Sequence, residues 1–210
     1  MVYRVSPGWI GIQGGTCAGK TTLAQALAKR IGLDDLLIVS LDLFYHPVEK
    51  ACPLNAAATN FDDPSSLDWE LIRHVIRRLE SGNTAMINIY DGLTVSGNIL
   101  LTPKTYTIVE GLWVFNDPYI SNLCNLKIYV ETSPDVRLIR RLNRDVIYTQ
   151  EWTLNQMLSY YMEYIRPMHL KFVEPRKAEC DLVVSGEDNI DIEVNRVVER
   201  LNTTLLRSSR

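Results

Sequence analysis

The sequence of this 210-residue chain is poor in the residues that build metal sites and disulfide frameworks. It has four cysteines and three histidines, namely Cys17, Cys52, Cys124, Cys180, His46, His74 and His169. The cysteines are widely spaced, and neither set shows the short intervals that are typical of metal ligands. We therefore expect reduced cysteines and no zinc site.

Features of membrane and secreted proteins are also missing. No apolar run approaches the length needed to cross a bilayer, and residues 1–7 lack the organisation of a signal peptide. The formal net charge is only −3, so there is no global signature of nucleic-acid binding. We expect a cytoplasmic protein that binds neither membranes nor nucleic acids, with residues 1–210 forming a single domain.

A glycine-rich stretch near the N-terminus fits the pattern G-x-x-x-x-G-K-[ST] of phosphate-binding loops. Its residues are Gly14, Gly15, Thr16, Cys17, Ala18, Gly19, Lys20 and Thr21, and Thr22 follows them. Glycines allow successive backbone N–H groups to surround phosphate oxygens. Lys20 can reach the β- and γ-phosphates, and the hydroxyl of Thr21 can bind Mg²⁺. The stretch therefore predicts a site for ATP, with GTP as an alternative phosphate donor.

The rest of the chain alternates between apolar runs and amphipathic segments. Strands are predicted over 9–12, 36–41, 106–109, 126–130 and 181–184, and helices over 21–31, 67–80, 151–172 and 190–206. Another helix starts at Ser133. The alternation predicts an α/β fold of the P-loop NTPase type, in which a central parallel sheet lies between two layers of helices. A small β-hairpin flap is expected at about 85–104, and an arginine-bearing helical lid at about 137–165.

Turn and cap residues predict several boundaries. Ser65 or Ser66 is the expected N-cap of the helix 67–80. Turns are expected at Asp91–Gly92 and at Ser96–Gly97, and residues 46–60 have the composition of a mobile loop. Pro167 should kink or break the long helix that contains it.

Two acidic residues follow predicted strands. Asp42 comes directly after the strand 36–41, and Glu110 directly after the strand 106–109. Alone, Asp42 would be read as a turn or cap residue. Because open α/β sheets bind ligands at the carboxyl ends of their strands, we expect both carboxylates to lie beside the phosphate loop. Glu110 is then a candidate for holding the water shell of Mg²⁺.

Four arginines share one face of the helix that starts at Ser133: Arg137, Arg140, Arg141 and Arg144. A run of charge is usually a solvated face. Only Asp145 adjoins these cations, and in a protein that binds triphosphates the pattern favours a role in phosphate binding.

Taken together, these residues resemble the uridine kinase family of P-loop nucleoside kinases, which is related to phosphoribulokinase. The similarity covers about residues 8–200. Beyond the loop, its pieces are the segments 40–45, 60–64, 89–91, 109–111, 140–145 and 166–175. The last segment, from Arg166 to Pro175, is especially specific because few other P-loop proteins have it before a terminal strand.

The resemblance implies a role for each candidate residue. Asp42 would accept the proton of the substrate's 5′-hydroxyl, and Asp62 would accept hydrogen bonds from the ribose 2′- and 3′-hydroxyls. On the donor side, the residues implied to arrange ATP and Mg²⁺ are Lys20, Thr21 and Glu110. The residues implied to approach the transferring phosphoryl group are Arg140 and Arg144. Those implied to contact the nucleoside are Arg141, Tyr45 and Tyr90.

The chain departs from the family pattern on the acceptor side. Where the family has an aromatic residue, a histidine and an arginine that contact the base, this chain has Gly92, Val95 and Gly97. An Arg-Gly-Arg lid element is replaced by residues 146–152, which contain no cation. A family glutamine is replaced around Tyr160.

Three functions therefore stay open at the level of sequence. The first is phosphorylation of a ribonucleoside such as uridine or cytidine. The second is the same reaction on another ribose-bearing acceptor, such as nicotinamide riboside or a modified nucleoside. The third is a nucleotide-binding regulatory protein with weak or lost catalysis. The small-molecule acceptor is the expected partner, and the resemblance also allows a homo-oligomer.

Overall fold

The computed structural model of the chain describes residues 8–47 and 60–208. Within them, five parallel strands form a central sheet in the order β2-β5-β1-β6-β7. Their bounds are β1 Gly8–Gly14, β2 Leu36–Ser40, β5 Tyr106–Gly111, β6 Leu126–Glu131 and β7 Leu182–Ser185. The two remaining strands, β3 Ala85–Asp91 and β4 Thr94–Leu101, pair with each other as an antiparallel hairpin.

Helices cover both faces of the central sheet, as the sequence predicts. They are α1 Lys20–Ile31, α2 Trp69–Glu80, α3 Pro118–Leu123, α4 Pro134–Leu142, α5 Leu154–Tyr160, α6 Arg166–Met168 and α7 Ile190–Ser208. Successive β1 residues face opposite layers: Trp9 packs in a core with α2, and Ile10 packs in a second core with α1 and α7. The three-layer α/β fold is therefore confirmed. In the described part of the chain, no helix is long and apolar enough to cross a membrane.

The register of the sheet brings three strand ends to one edge. Ile12 of β1 pairs with Glu110 of β5, and Ser40 of β2 pairs with the same residue. Because the strands are parallel, the segments that follow β1 and β2 leave the sheet on the side where β5 ends. The phosphate loop, Asp42 and Glu110 are thereby placed around one crevice, which is where open α/β sheets bind ligands.

From α4 to Glu179, shortly before β7, the chain is helical except for a break at residues 149–153, and this run contains the segment 137–165 that was predicted as a lid. Between the α-helices lie π-helical stretches at Asn143–Tyr148, Tyr161–Ile165 and His169–Val173, and a 3₁₀ segment at Glu174–Glu179 ends the run. Pro167 was expected to kink or break the helix, but it does not interrupt it. Two of the π-helical stretches flank this residue. Near the proline, which supplies no N–H, the backbone hydrogen bonds therefore run from residue i to residue i+5 instead of i+4.

Two predicted boundaries are wrong. The N-cap of α2 is Asp68, whose carboxylate accepts a hydrogen bond from the N–H of Leu71, and not Ser65 or Ser66. Those serines form a separate 3₁₀ turn with Pro64, because Asp63 caps that turn first. Likewise, Ser96–Gly97 lies inside β4, and the hairpin turns at Gly92 and Leu93. Most of the loop predicted at 46–60 lies outside the described residues.

Candidate active site

The phosphate loop joins the end of β1 to the start of α1. Its turn is closed by hydrogen bonds from Ala18 N–H to Gly15 O (3.1 Å) and from Leu23 N–H to Gly19 O (2.9 Å). Gly19 has a φ of 102°, in the left-handed region that glycine adopts without a Cβ clash. The ammonium group of Lys20 reaches back across the loop and donates to Gly15 O at 2.9 Å. The backbone thus has the curvature that surrounds a phosphate.

Lys20 is held in an environment of mixed charge. Burial lowers the pKa of its ammonium group, and the negative charges of Glu110 and Asp42 act in the opposite direction. The closeness of both carboxylates confirms that the strand ends converge on the loop.

Thr21 and Glu110 form a pair suited to a divalent cation. The Thr21 hydroxyl donates to Glu110 Oε1 at 3.1 Å, and Glu110 is only 1% exposed. In the described residues, no cluster of three or more His, Cys, Asp or Glu side chains could hold a metal by itself. The pair therefore fits a cation such as Mg²⁺, which takes most of its ligands from phosphate oxygens and water.

A cavity of about 1060 Å³ opens above the loop. The predicted site residues that line it are Thr16, Cys17, Ala18, Gly19, Lys20, Thr21, Thr22, Asp42, Tyr45, Asp62, Arg140, Arg141 and Arg144. Its size exceeds that of a single small-ligand pocket and is sufficient for a nucleotide beside a second ligand. The carboxylate of Asp42 is exposed to the cavity, in a 3₁₀ turn (Leu41–Phe44) that follows β2 directly.

Four predicted site residues do not line this cavity. Gly14 and Gly15 are buried at the start of the loop, and Glu110 is buried behind Thr21. Tyr90 lies near the end of β3 in the hairpin and is 42% exposed. The contact of Tyr90 with a nucleoside therefore stays a prediction.

Three of the four arginines from α4 and the π-helical stretch after it line the cavity. Arg140 donates to Cys17 O (3.3 Å) and to Gly186 O (2.9 Å), so it ties the loop to the segment after β7. Arg141 donates to the Thr16 hydroxyl at 2.7 Å and to Asp145 at 2.5 Å. Arg144 also donates to Asp145 at 2.5 Å. The lid is thereby attached to the phosphate loop through guanidinium groups.

Asp145 is the common partner of two lid arginines. Burial alone would raise its pKa, but the hydrogen bond from Arg144 and the charges of Arg141 and Arg144 outweigh that effect and lower the pKa. Asp145 is therefore ionised and fixes the direction of both guanidinium groups.

Arg137 does not line the cavity, unlike the other arginines of the cationic face that the sequence predicts. It is 4% exposed, and its Nε donates to Thr132 O at 3.1 Å, outside the ATP-sized cavity. Helical spacing correctly predicts that Arg137 lies on the same face of α4 as Arg140 and Arg141. Arg137 is one helical turn earlier, however, and at that point the face packs against Gly15 and not against the cavity.

Asp62 forms the opposite wall of the cavity and is 6% exposed. The hydroxyl of Tyr160 hydrogen-bonds the Asp62 carboxylate and accepts from Phe61 N–H at 2.9 Å. Burial raises the pKa of Asp62, and the positive charges of Arg141 and Arg144 counteract this only in part. The Tyr45 ring packs edge-on against Phe61, with 6.1 Å between ring centroids. Two aromatic rings therefore lie next to the Asp62 carboxylate in this wall of the cavity.

Comparison with known proteins places this site in a family. The profile of the Phosphoribulokinase / Uridine kinase family matches residues 9–193. This chain belongs to that family. It is 32% identical over 199 residues to a uridine kinase of Chloroflexus aurantiacus, with 93% of this chain and 95% of that protein covered. A uridine kinase of Brevibacillus brevis is 34% identical over 182 residues, with 85% of each chain covered.

Solved structures show the same fold. Phosphoribulokinase from Rhodobacter spheroides superposes with a TM-score of 0.60 at 14% sequence identity, covering 87% of this chain and 73% of that one. At this identity the likeness shows the shared P-loop kinase architecture alone.

Within this member of the family, sequence reasoning missed an aromatic wall beside Asp62. Phe61 and Trp152 line the cavity, and Trp152 packs on Tyr160 with 5.0 Å between ring centroids. Tyr164 also packs on Tyr160, with 5.0 Å between ring centroids. The available signal was the run of large residues in the segment 151–172, which contains the position of the replaced family glutamine, around Tyr160, and adjoins residues 146–152, where the lid cations are missing.

Proposed function

We propose that this protein is an ATP-dependent nucleoside kinase that phosphorylates the 5′-hydroxyl of a ribonucleoside, with uridine or cytidine as the substrate. The product is the nucleoside monophosphate. The observation that carries the proposal is that Asp42 and Asp62 line the same cavity as a complete phosphate-binding loop. Relatives named uridine kinase, which align with most of the chain, support it.

On the donor side, the loop backbone and Lys20 bind the phosphates of ATP, with GTP as a second possible donor. Thr21 and Glu110 would hold the Mg²⁺ that accompanies the triphosphate, and this ion neutralises phosphate charge when it is bound. Lys20 is directed at the loop by its bond to Gly15 O, so a bound phosphate need only replace that acceptor.

On the acceptor side, Asp62 accepts hydrogen bonds from the ribose hydroxyls and Arg141 helps to hold the sugar. Asp42 takes the proton from the 5′-hydroxyl of the substrate while the hydroxyl oxygen forms a bond to the γ-phosphorus of ATP. The bond from that phosphorus to the β–γ bridging oxygen breaks, and ADP leaves with the electron pair. Arg140 and Arg144 stabilise the charge that develops during transfer.

The two other functions considered from sequence are less well supported. The altered hairpin positions Gly92, Val95 and Gly97 motivated a different ribose-bearing acceptor, but the named relatives do not favour one. Loss of catalysis is disfavoured because Lys20, Asp42 and Glu110 are all in place. A cytoplasmic location and a homo-oligomeric state remain predictions.

A panel of acceptors tests this function. ADP release should be measured with uridine, cytidine, nicotinamide riboside and 2′-deoxyuridine, each with ATP and with GTP. We expect uridine or cytidine to be used best. 2′-Deoxyuridine should show a kcat/KM lower by about tenfold or more, because it leaves Asp62 without a partner.

Each contrary outcome has a defined meaning. A clear preference for nicotinamide riboside would replace the nucleoside assignment, and equal rates with uridine and 2′-deoxyuridine would remove Asp62 from ribose binding. ATP binding without phosphorylation of any acceptor would favour the regulatory alternative.

A further inference from the structure

A second cavity, of about 590 Å³, adjoins the phosphate loop at Gly15. It lies between the ends of β6 and β7 and the helical segment that contains His169. Val130, Val184 and Ser185 border both this cavity and the ATP-sized one, but none of the proposed catalytic residues lines the second. It is therefore a separate space, and its chemistry can be examined independently of the kinase reaction.

Arg137 is a buried cation in the wall of this cavity. Its side chain is 4% exposed in total, and its Nε donates to Thr132 O. In the part of the chain that the structure describes, its two terminal nitrogens have no hydrogen-bond acceptor and no carboxylate pairs with it. A buried guanidinium without a counter-charge is costly, so an anion that reached it would be bound favourably.

Gly15 allows this close approach. A Cβ atom at position 15 would lie 2.4 Å from Arg137 Nη1, closer than real contacts permit. The guanidinium therefore lies directly against the backbone of the phosphate loop, on the face turned towards the second cavity.

His169 supplies an unsatisfied acceptor in the same wall. Its Nε2 lies 3.0 Å from Glu174 Oε2, which also accepts from the Tyr129 hydroxyl at 3.2 Å. The carboxylate requires the proton on Nε2, so Nδ1 carries a lone pair. Nδ1 is buried and has no hydrogen-bond partner among residues 8–47 and 60–208. Burial and the charge of Arg137 lower the pKa of His169 to about 4, which keeps the ring neutral at physiological pH.

The other charged groups around the cavity are already matched. Glu131 pairs with Lys177, and Arg196 pairs with Glu193 at 2.6 Å. Glu187 accepts from the backbone N–H and the hydroxyl of Ser133 at 2.7 and 2.8 Å. Among the described residues around this cavity, two kinds of group still lack a hydrogen-bond partner. They are the two terminal nitrogens of Arg137, which are donors, and Nδ1 of His169, which is an acceptor.

We propose that this cavity is a second ligand site, which binds a small oxyanion that also carries a hydroxyl hydrogen. The anionic oxygens pair with the terminal nitrogens of Arg137, and the hydroxyl donates to His169 Nδ1. Hydrogen phosphate and small hydroxycarboxylates share this chemistry. Sulfate has the charge but no hydrogen to donate at neutral pH.

The test uses full-length protein whose ATP site is saturated with a non-hydrolysable ATP analogue and Mg²⁺, so that the phosphate loop is filled. With ¹³C-labelled histidine, inorganic phosphate, malate and sulfate are titrated separately, and His169 is assigned from the His169→Gln variant. We expect the His169 ring signal to move saturably with phosphate or malate, and about tenfold more weakly with sulfate, because one hydrogen bond is lost. The signals of His46 and His74 should stay unchanged.

Calorimetry on variants locates the site. Arg137→Gln should weaken binding of the same anion about tenfold or more, and His169→Gln should reduce the preference for phosphate over sulfate. Arg176→Gln is the matched control, since Arg176 lies on the same helical run but pairs with Glu179 at the surface. If Arg137→Gln does not fold, Arg137→Lys replaces it, because it keeps the charge and loses the two-nitrogen geometry.

The relative strength of the phosphate and malate titrations identifies the ligand class. The proposal is overturned if none of the three anions gives a saturable shift, if all three histidines move together with ionic strength, or if the Arg137 variant binds as tightly as the wild type.

Discussion

At the scale of single residues, the acceptor side of the site depends on Tyr160. Its hydroxyl bonds both the backbone of Phe61 and the carboxylate of Asp62, and its ring packs against Trp152 and Tyr164. Asp62 is thus positioned by a side chain about a hundred residues away along the chain. This link is the part of the site that no local sequence pattern could predict.

The Tyr160→Phe variant tests that link. Loss of the hydroxyl leaves Phe61 N–H without its acceptor and frees the Asp62 carboxylate, so the KM for uridine should rise about fivefold to tenfold. The value of kcat should stay within about twofold, because Asp42 and the loop are untouched. Tyr164→Phe is the control, since its hydroxyl bonds Glu163 and not Asp62. Equal KM values in both variants would contradict the positioning role.

The pKa of Asp62 predicts how nucleoside binding depends on pH. Burial raises this pKa above the ordinary value of 3.8, and only the ionised carboxylate accepts hydrogen bonds from both ribose hydroxyls. As the pH falls, uridine affinity should therefore begin to weaken at a higher pH than for an exposed aspartate. Binding measured by calorimetry in the acid range checks this, because uridine itself does not titrate there.

In the Asp62→Asn variant, affinity should be lower at neutral pH and nearly independent of pH on the acid side. A wild-type profile that stays flat down to the ordinary aspartate range would show that Asp62 does not bind the ribose.

At the scale of elements, the predicted lid is organised around Asp145 and contains a strained turn at Gln150. Gln150 has a φ of 56°, a left-handed conformation that residues with a Cβ adopt at a cost. The preceding Thr149 has an ordinary φ of −83°. In the turn between the π-helical stretch and α5, a glycine at position 150 should therefore give a more stable fold than the glutamine.

Gln150→Gly should stabilise the lid by about 1 kcal/mol, because the strain is removed. Thr149→Gly should destabilise it, because glycine gains freedom in the unfolded chain and the hydroxyl bond to Asp145 O is lost. Hydrogen exchange of the amides in 143–160 measures both effects. Faster exchange in Gln150→Gly than in the wild type would contradict the strain.

The elements also show where sequence reasoning succeeds. The strands, α1 and the hairpin could be predicted because periodicity and turn residues are local signals. The cap of α2 was missed because Ser65 and Asp68 are both acceptable caps, and the choice depends on the competing turn at Pro64. The side of the phosphate loop on which Arg137 lies could not be predicted, because it depends on packing against Gly15.

At the scale of the whole molecule, the parallel sheet brings distant segments to one crevice. The prediction that Asp42 and Glu110 meet the phosphate loop followed from the rule that strand ends converge, and the register confirms that convergence. The aromatic wall of the acceptor side, in contrast, arises where the lid folds back over the turn at Asp62. Contacts of that kind depend on the tertiary arrangement, which is why sequence patterns predict the proposed donor half of the site better than the proposed acceptor half.

The most direct test of the central claim is formation of uridine 5′-monophosphate from uridine and ATP by the wild type and by Asp42→Asn. The wild type should make this product, and the variant should be slower by about 10³-fold while its dissociation constant for ATP changes by less than about twofold. No product from any nucleoside with the wild type, or a variant nearly as fast as the wild type, would contradict the account.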